Sequence, residues 1–342
     1  MGDLIQGIER ILVIRTDGIG DVLNSTPAIA ALREAYRDAH ISVLARHPGV
    51  ETLLLNPHID ELLAYDATAR LRSIKKLRAG CYDMAIVLHN SSWCNLMAYL
   101  SGAHYRVGRR SERKRFSFTL THGVSSSDPK GTKHEIDRNM DLVRLVGAKD
   151  GTQELIFRLS VEERAWAKDF LRREDIYTPL VGIHPGGSSF DKLWPAENFA
   201  HAANELAKRL QAKIMLFCGP GEEALLQDVQ RYNANQNYTS EVISIAGLPL
   251  RQFAALLEKC SIFLCNDSGP MHIAAALKVP TVAIFGPTDH VRWKPRSEKA
   301  VAVRKDVDCW PCSAHKCKKG FECIKTLPVS SVLNAAYSIL DL

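Results

Sequence analysis

The sequence predicts an α/β protein made of two doubly wound, Rossmann-like domains. Three observations carry that prediction. Short apolar runs recur along the chain without the alternation of half-exposed strands, as strands covered by helices on both faces require. Segments with a helical apolar period separate them. Glycine and small polar residues follow the runs, at the strand ends where such sheets bind ligands.

The first series comprises Ile11–Ile14, Ile41–Leu44 and Met84–Leu88. Between the first two lies PAIAALREAYRDA, which places Ile29, Leu32, Ala35 and Tyr36 on one helical face. Ser25 and Thr26 before Pro27 suit a helix start, because hydroxyls cap and proline fits the first turn. A helix that starts at Asp21 and kinks at Pro27 is the alternative. The second series comprises Leu180–His184, Ile214–Cys218, Val242–Ala246, Ile262–Asn266 and Thr281–Phe285. Its connecting segments, such as AENFAHAANELAKRL, are helical by period and propensity.

A chain of 342 residues is comfortable for two cores. The charged segment 148–179, with Pro179 at its end, holds the boundary, which gives domains 1–165 and 166–325 and a final helix, 326–342. The formal charge of +6 suits anionic small molecules or surfaces and is too small to indicate nucleic acid. No apolar run is long enough to span a bilayer. The amino terminus contains acids and leads straight into a strand, unlike an export signal, so a cytoplasmic location is expected.

The loops after the strands hold the candidate chemistry. ILVIRTDGIGDV lacks the third glycine of a dinucleotide fingerprint. Gly18 and Gly20 still permit a tight turn, beside which Asp17 and Asp21 either cap the chain or face a ligand. In HPGGSSFDKLWP, the amides at Gly186 and Gly187, the hydroxyls of Ser188 and Ser189, and Lys192 suit a phosphate. In FCGPGEE, Glu222 and Glu223 open a helix; one suits the helix dipole and the other a ribose diol. In CNDSGPMHIAAAL, Ser268, Gly269 and Met271 offer amides at a helix start, and Asp267 orders amides or binds a sugar hydroxyl. His272 is a core histidine or a ligand contact. FGPTD adds Gly286 and Thr288. Together these loops argue for a phosphorylated nucleotide.

RTDGIGDVLNSTPAI, HPGGSSFDKLWP, NDSGPMHIAAAL, FGPTD and CWPCSAHKCKKGFEC occur in the order and spacing of the bacterial lipopolysaccharide heptosyltransferases, which the chain resembles over nearly its whole length. This is glycosyltransferase family nine. The resemblance implies a GT-B fold, with two Rossmann-like domains facing across a cleft and a final helix crossing back to the first. It implies an inverting, metal-independent transfer of heptose from ADP-L-glycero-β-D-manno-heptose to a lipid A–Kdo or heptose acceptor of the lipopolysaccharide inner core. Asp21 matches the catalytic base, Lys192 the donor-phosphate lysine and Glu222 the acid on the adenosine ribose. Gly187, Ser188 and Ser189, with Asp267, Ser268, Gly269 and His272, match the donor site, and Gly20 lies on the acceptor side. No cofactor is expected.

YRVGRRSERKRF reads as a basic loop. Arg106, Arg109 and Arg110 either form a solvated face or capture an anionic acceptor at the cytoplasmic face of the inner membrane. Cys309, Cys312, Cys317 and Cys323, spaced C-x2-C-x4-C-x5-C, have the look of a structural zinc site. Four ligands within fifteen residues are atypical, however, and reduced thiols are the expectation. A relative with another sugar or acceptor, a non-hydrolysing sugar-nucleotide epimerase, and a non-catalytic nucleotide-sugar binder remain as alternatives.

Overall fold

The structure is a computed structural model and describes residues 2–127, 132–236, 238, 240–310, 312 and 317–342. The chain divides into two compact units, 1–158 and 159–342.

In the first unit, strands β1 (Arg10–Ile14), β2 (His40–Ala45), β3 (Glu61–Ala64), β4 (Met84–Val87), β5 (Tyr105–Arg110) and β6 (His122–Ser125) form one six-stranded sheet. Its order is β3-β2-β1-β4-β5-β6 and every neighbouring pair is parallel. The chain runs outward from β1 to one edge, returns, and runs from β4 to the other. The order therefore reverses between β1 and β4, where helices leave on opposite faces and a crevice opens at the strand ends. Leu12, Ile14, Ala85 and Val87 pack one face of these central strands into a buried cluster with Leu63, Leu77 and Met97.

The second unit repeats the plan. Strands β7 (Leu180–His184), β8 (Lys213–Cys218), β9 (Val242–Ala246), β10 (Ile262–Asn266), β11 (Thr281–Phe285) and β12 (Ala300–Arg304) form a parallel sheet in the order β12-β11-β10-β7-β8-β9. Its reversal lies between β7 and β10. Val181, Ile183, Leu216, Leu264 and Ile284 form its core with Trp194 and Phe199.

The central strands lie where their apolar runs predict. The edge strands β3, β6 and β12 are partly exposed and were not expected: β3 and β6 carry mixed residues, whereas β12 does hold the short apolar run Ala300–Val303. β5 is a correction: the stretch expected as a basic loop is a strand from Tyr105 to Arg110. Pro27 sits in the first turn of the helix Thr26–Ala35, as expected, but the Ser25 and Thr26 hydroxyls donate back to the Val22 and Leu23 carbonyls instead of capping it, and a separate short helix, Ile19–Leu23, holds Asp21.

The contact boundary falls ahead of the expected position 165. The helix Val161–Arg173 opens on a capping box in which Ser160 and Glu163 satisfy each other's backbone N–H groups. It packs on the helix Leu250–Leu257 and ion-pairs Glu163 with Arg251 and Arg164 with Glu258. These contacts tie it to the second unit. The final helix, Val329–Leu340, was expected to cross to the first domain. It instead buries Val332 and Ala336 against the helix Ala196–Leu210 and strands β11 and β12 of its own unit. Among the described residues, no helix is long and apolar enough to cross a membrane.

Candidate functional site

At the reversal of the first sheet, Arg15 follows the last residue of β1 and is buried to 1% exposure. Its Nη1 donates to the Leu88 carbonyl at 2.8 Å, which ties the ends of β1 and β4 together. Its Nη2 holds Asp21 Oδ1 at 2.7 Å and its Nε pairs with Asp17 Oδ1 at 2.9 Å. Glu135, equally buried, approaches from the helix Glu135–Val143 at 3.4 Å. Burial opposes the Arg15 charge, but Asp17, Asp21 and Glu135 outweigh it and hold the guanidinium's proton more tightly than usual. Glu135 also faces Arg109 and Arg138. Three arginines and three carboxylates thus share one network, of which Asp17 and Asp21 are the most exposed members.

Beside them Thr16 shares a 2.9 Å hydrogen bond with His89 Nδ1. Burial pushes His89 below the ordinary imidazole range; Asp17 opposes this, and Arg15, Arg46 and Lys114 reinforce it. The ring is therefore neutral near pH 7, with cationic groups around it.

The reversal of the second sheet is built the other way round. Asp267, at the end of β10, is buried and accepts from Lys192 Nζ at 2.7 Å, while Lys192 is the more exposed partner. Asn266 fixes the loop after β7, donating to the Pro185 carbonyl at 2.7 Å and accepting from the Trp194 N–H at 3.1 Å. Trp194 is buried edge-on against Phe199 and donates its indole N–H to Leu327. Lys192 is thus carried on a loop pinned at both ends.

Glu222 precedes the helix Glu223–Asn235 and accepts from the Gly219 N–H at 2.8 Å. The same carboxylate oxygen, Oε2, lies 3.1 Å from His184 Nε2. Burial raises the Glu222 carboxyl, but the His184 contact and the Gly219 and Gly187 amides prevail and hold it below the usual range. A Cβ on Gly186 would lie 2.1 Å from Glu222 Oε1, so the bare backbone here lets the carboxylate lie against the loop. Ser268 precedes the helix Gly269–Ala276 and turns its hydroxyl to the Asn266 carbonyl, while His272 is buried within that helix. Ser189 bonds Asp191.

The model of glycosyltransferase family 9 (heptosyltransferase) matches residues 70–321, well over half of the chain. The chain belongs to glycosyltransferase family 9. It is 26% identical to lipopolysaccharide heptosyltransferase 3 of Escherichia coli strain K12 over 94% of its own length and 95% of that protein. Among solved structures, it matches a family 9 glycosyltransferase from Veillonella parvula with TM-score 0.84 and 25% identity, covering 99% of both chains. E. coli ADP-heptose lipopolysaccharide heptosyltransferase II gives TM-score 0.77 and 25% identity, covering 97% of this chain and 98% of that one. The two parallel six-stranded sheets are thus the GT-B architecture of this glycosyltransferase family.

Within this family 9 enzyme, the structure gathers Lys192 with Asp267 and sets Glu222 against the glycine loop. Asp267 pairs with lysine rather than ordering amides. The arginines of β5 differ from expectation. Arg106 donates to the carbonyls of Ala103 and Thr119, and Arg110 to those of Leu120 and Thr121. Arg109 is buried, donating to the Leu88 carbonyl and to Asn139. These contacts knit the sheet and the Arg15 network. Sequence reasoning missed Arg15, Glu135, Asn139 and His184. Arg15 had a signal, since a lone arginine directly after an apolar strand must find buried partners.

The cysteine segment lies beyond β12. Cys309, Cys312, Cys317 and Cys323 are all free thiols. Burial pushes the Cys323 thiol up, and Cys312, Cys317 and Cys309 add to the effect.

Proposed function

We propose that this glycosyltransferase moves heptose from ADP-L-glycero-β-D-manno-heptose to a hydroxyl of the lipopolysaccharide inner core, with inversion at the anomeric carbon and Asp21 as general base. The observation that carries the reading is Asp21 itself. Its carboxylate is anchored on a buried guanidinium at the strand-order reversal and remains 28% exposed, so it is oriented yet reachable. The names of the relatives support heptose as the sugar, ADP as the carrier and lipopolysaccharide as the acceptor class.

A sugar hydroxyl is a poor nucleophile at neutral pH. A carboxylate within hydrogen-bonding reach takes its proton as the oxygen attacks. The new C–O bond forms at the anomeric carbon while the bond to the diphosphate breaks, and ADP departs with the electron pair. In the second unit Lys192 meets the charge that develops on the diphosphate, with the glycine-loop amides beside it. These groups are positioned before reaction, so the chemistry is proposed to need no metal. Glu222, ionised and held by His184, suits the ribose diol as a two-point acceptor. Arg46 and Lys114, whose charges are felt at His89, suit the carboxylates and phosphates of an inner-core acceptor at a membrane surface.

The test is a mass-spectrometric transfer assay using truncated lipid A–Kdo and heptosylated acceptors with a panel of ADP- and UDP-sugars. Transfer confined to ADP-heptose, with the opposite anomer in the product, is expected. Epimerised donor formed without acceptor, or transfer from UDP-sugars instead, defeats the reading.

A further inference from the structure

We propose that one flank of the first unit is a docking surface for the anionic headgroups of a phospholipid bilayer. The flank consists of the helix Arg70–Ala79, the helix Ser92–Leu100 and the short turn Ser117–Thr119, which pack side by side. The first of these carries Arg70, Arg72, Lys75, Lys76 and Arg78, all exposed. No acid occurs from Ala67 to Tyr82. The turn is preceded by Arg113 and Arg115, which are exposed as well. Among the described residues, none of these seven cations forms an ion pair. Other arginines of the chain do pair with acids, as Arg15, Arg144, Arg164 and Arg251 show. The acids beside the flank are Asp66, which accepts from Thr68, and Glu112. Positive charge is thus left uncompensated along this side.

The helix between the two basic elements holds no charged residue. Its outward side carries Tyr99, which is exposed, and the half-buried Leu96 and Leu100. Leu71, at the start of the basic helix, is 83% exposed, and Phe118, in the turn, is 86% exposed. Two arginines join the pieces. Arg106 lies 5.6 Å from the Tyr99 ring and donates to the Thr119 carbonyl at 2.7 Å. Arg70 lies 5.1 Å from the Trp93 ring. A single bare apolar side chain needs no explanation; several around an uncharged helix on one basic flank do.

An apolar strip between basic rims matches the interface of a charged bilayer. Cations meet the headgroups there, and apolar side chains reach the acyl boundary. A second copy of the chain is a poor occupant, because in a two-fold pairing the flank would meet its own charge. A nucleic acid would meet the cations but leave Leu71 without a partner. The helices Arg70–Ala79 and Ser92–Leu100 follow β3 and β4, so the flank begins at the strand ends that carry the Arg15–Asp21 network. Docking would therefore bring a lipid-borne alcohol toward Asp21 without drawing it from the membrane. The contact itself needs neither donor nor acceptor, so it stands apart from the sugar-transfer reading.

The experiment is co-sedimentation of the full chain with vesicles of phosphatidylcholine alone or mixed with phosphatidylglycerol, all free of lipopolysaccharide. Partition onto the mixed vesicles should be at least about tenfold stronger, and about 1 M salt should abolish the difference. K75E/K76E should weaken that partition by at least about tenfold. K208E/R209E makes the same charge change at exposed positions of the second unit and should leave partition within about twofold. Phe118→Trp should gain fluorescence that bromine-labelled lipid quenches beyond the wild-type level. Turnover of a soluble truncated acceptor should stay at the wild-type level in K75E/K76E, which separates failed docking from failed transfer. Equal partition onto neutral vesicles, equal losses in the two double variants, or no added quenching in Phe118→Trp overturns the proposal. So does a short DNA duplex that displaces the protein from the vesicles at the same salt.

Discussion

The two sheets share one strand order and place their functional groups at the same topological point, yet the chemistry there is inverted. In the first unit the cation is buried: Arg15 lies beneath, and Asp17 and Asp21 face outward. In the second unit the anion is buried: Asp267 lies beneath, and Lys192 faces outward. Each arrangement uses a hidden counter-charge to hold an exposed charge in place, since a buried ion is tolerated only when paired. The fold thus supplies the address and the residues supply the sign. One address presents carboxylates and the other an ammonium group.

The comparison breaks most sharply at Asp21. Asp21→Asn keeps the shape and removes the base, so turnover should fall by about 10²- to 10⁴-fold. ADP affinity, read by calorimetry, should stay unchanged. A variant that keeps wild-type turnover would leave the first unit without a catalytic carboxylate.

Removing each hidden or exposed cation should then have different consequences. Arg15→Met removes the cation that pairs Asp17 and Asp21 and one of the three arginines that face Glu135. A loss of about 3–5 kcal/mol in urea unfolding is expected, because one partner of a buried network leaves the others uncompensated. Lys192→Met touches a more exposed group, and ADP affinity should weaken by about 10- to 100-fold, the worth of a hydrogen bond to a charged group. Should Lys192→Met lower stability and spare ADP binding, the two addresses would not differ as described.

The smallest effects sharpen the picture at Glu222. Glu222→Gln should narrow the preference for ADP over 2′-deoxy-ADP by several-fold, with little change in fold. The carboxyl is held below its ordinary value, so its contribution is present above the ordinary glutamate range and is lost as pH falls through the depressed value. ADP affinity should therefore be flat from neutral pH down to the ordinary glutamate range, then decline.

The sequence made the central strands legible because they are continuous apolar runs, and glycine loops after those runs drew attention to Asp17, Asp21, Lys192, Glu222 and Glu223, among which the family resemblance chose. It hid what depends on distant pairing. Arg15 and Glu135 are 120 positions apart and meet through the packing of the helix Glu135–Val143 at the end of β1. The basic stretch misled for a related reason. A charge run reads as solvated until the carbonyls that receive Arg106, Arg109 and Arg110 are known. Edge strands β3 and β6 stayed hidden because a strand at a sheet edge need not be apolar, while β12 carries a short apolar run that was passed over.

Gly186 has a consequence for resistance to inhibitors. A side chain there would meet the Glu222 carboxylate, so a substitution must move that group off its contacts with His184 and Gly219. A compound seated against that bare backbone would press on a wall that substitution can alter only by displacing Glu222. One that leaned on the outward-facing lysine could be escaped more readily.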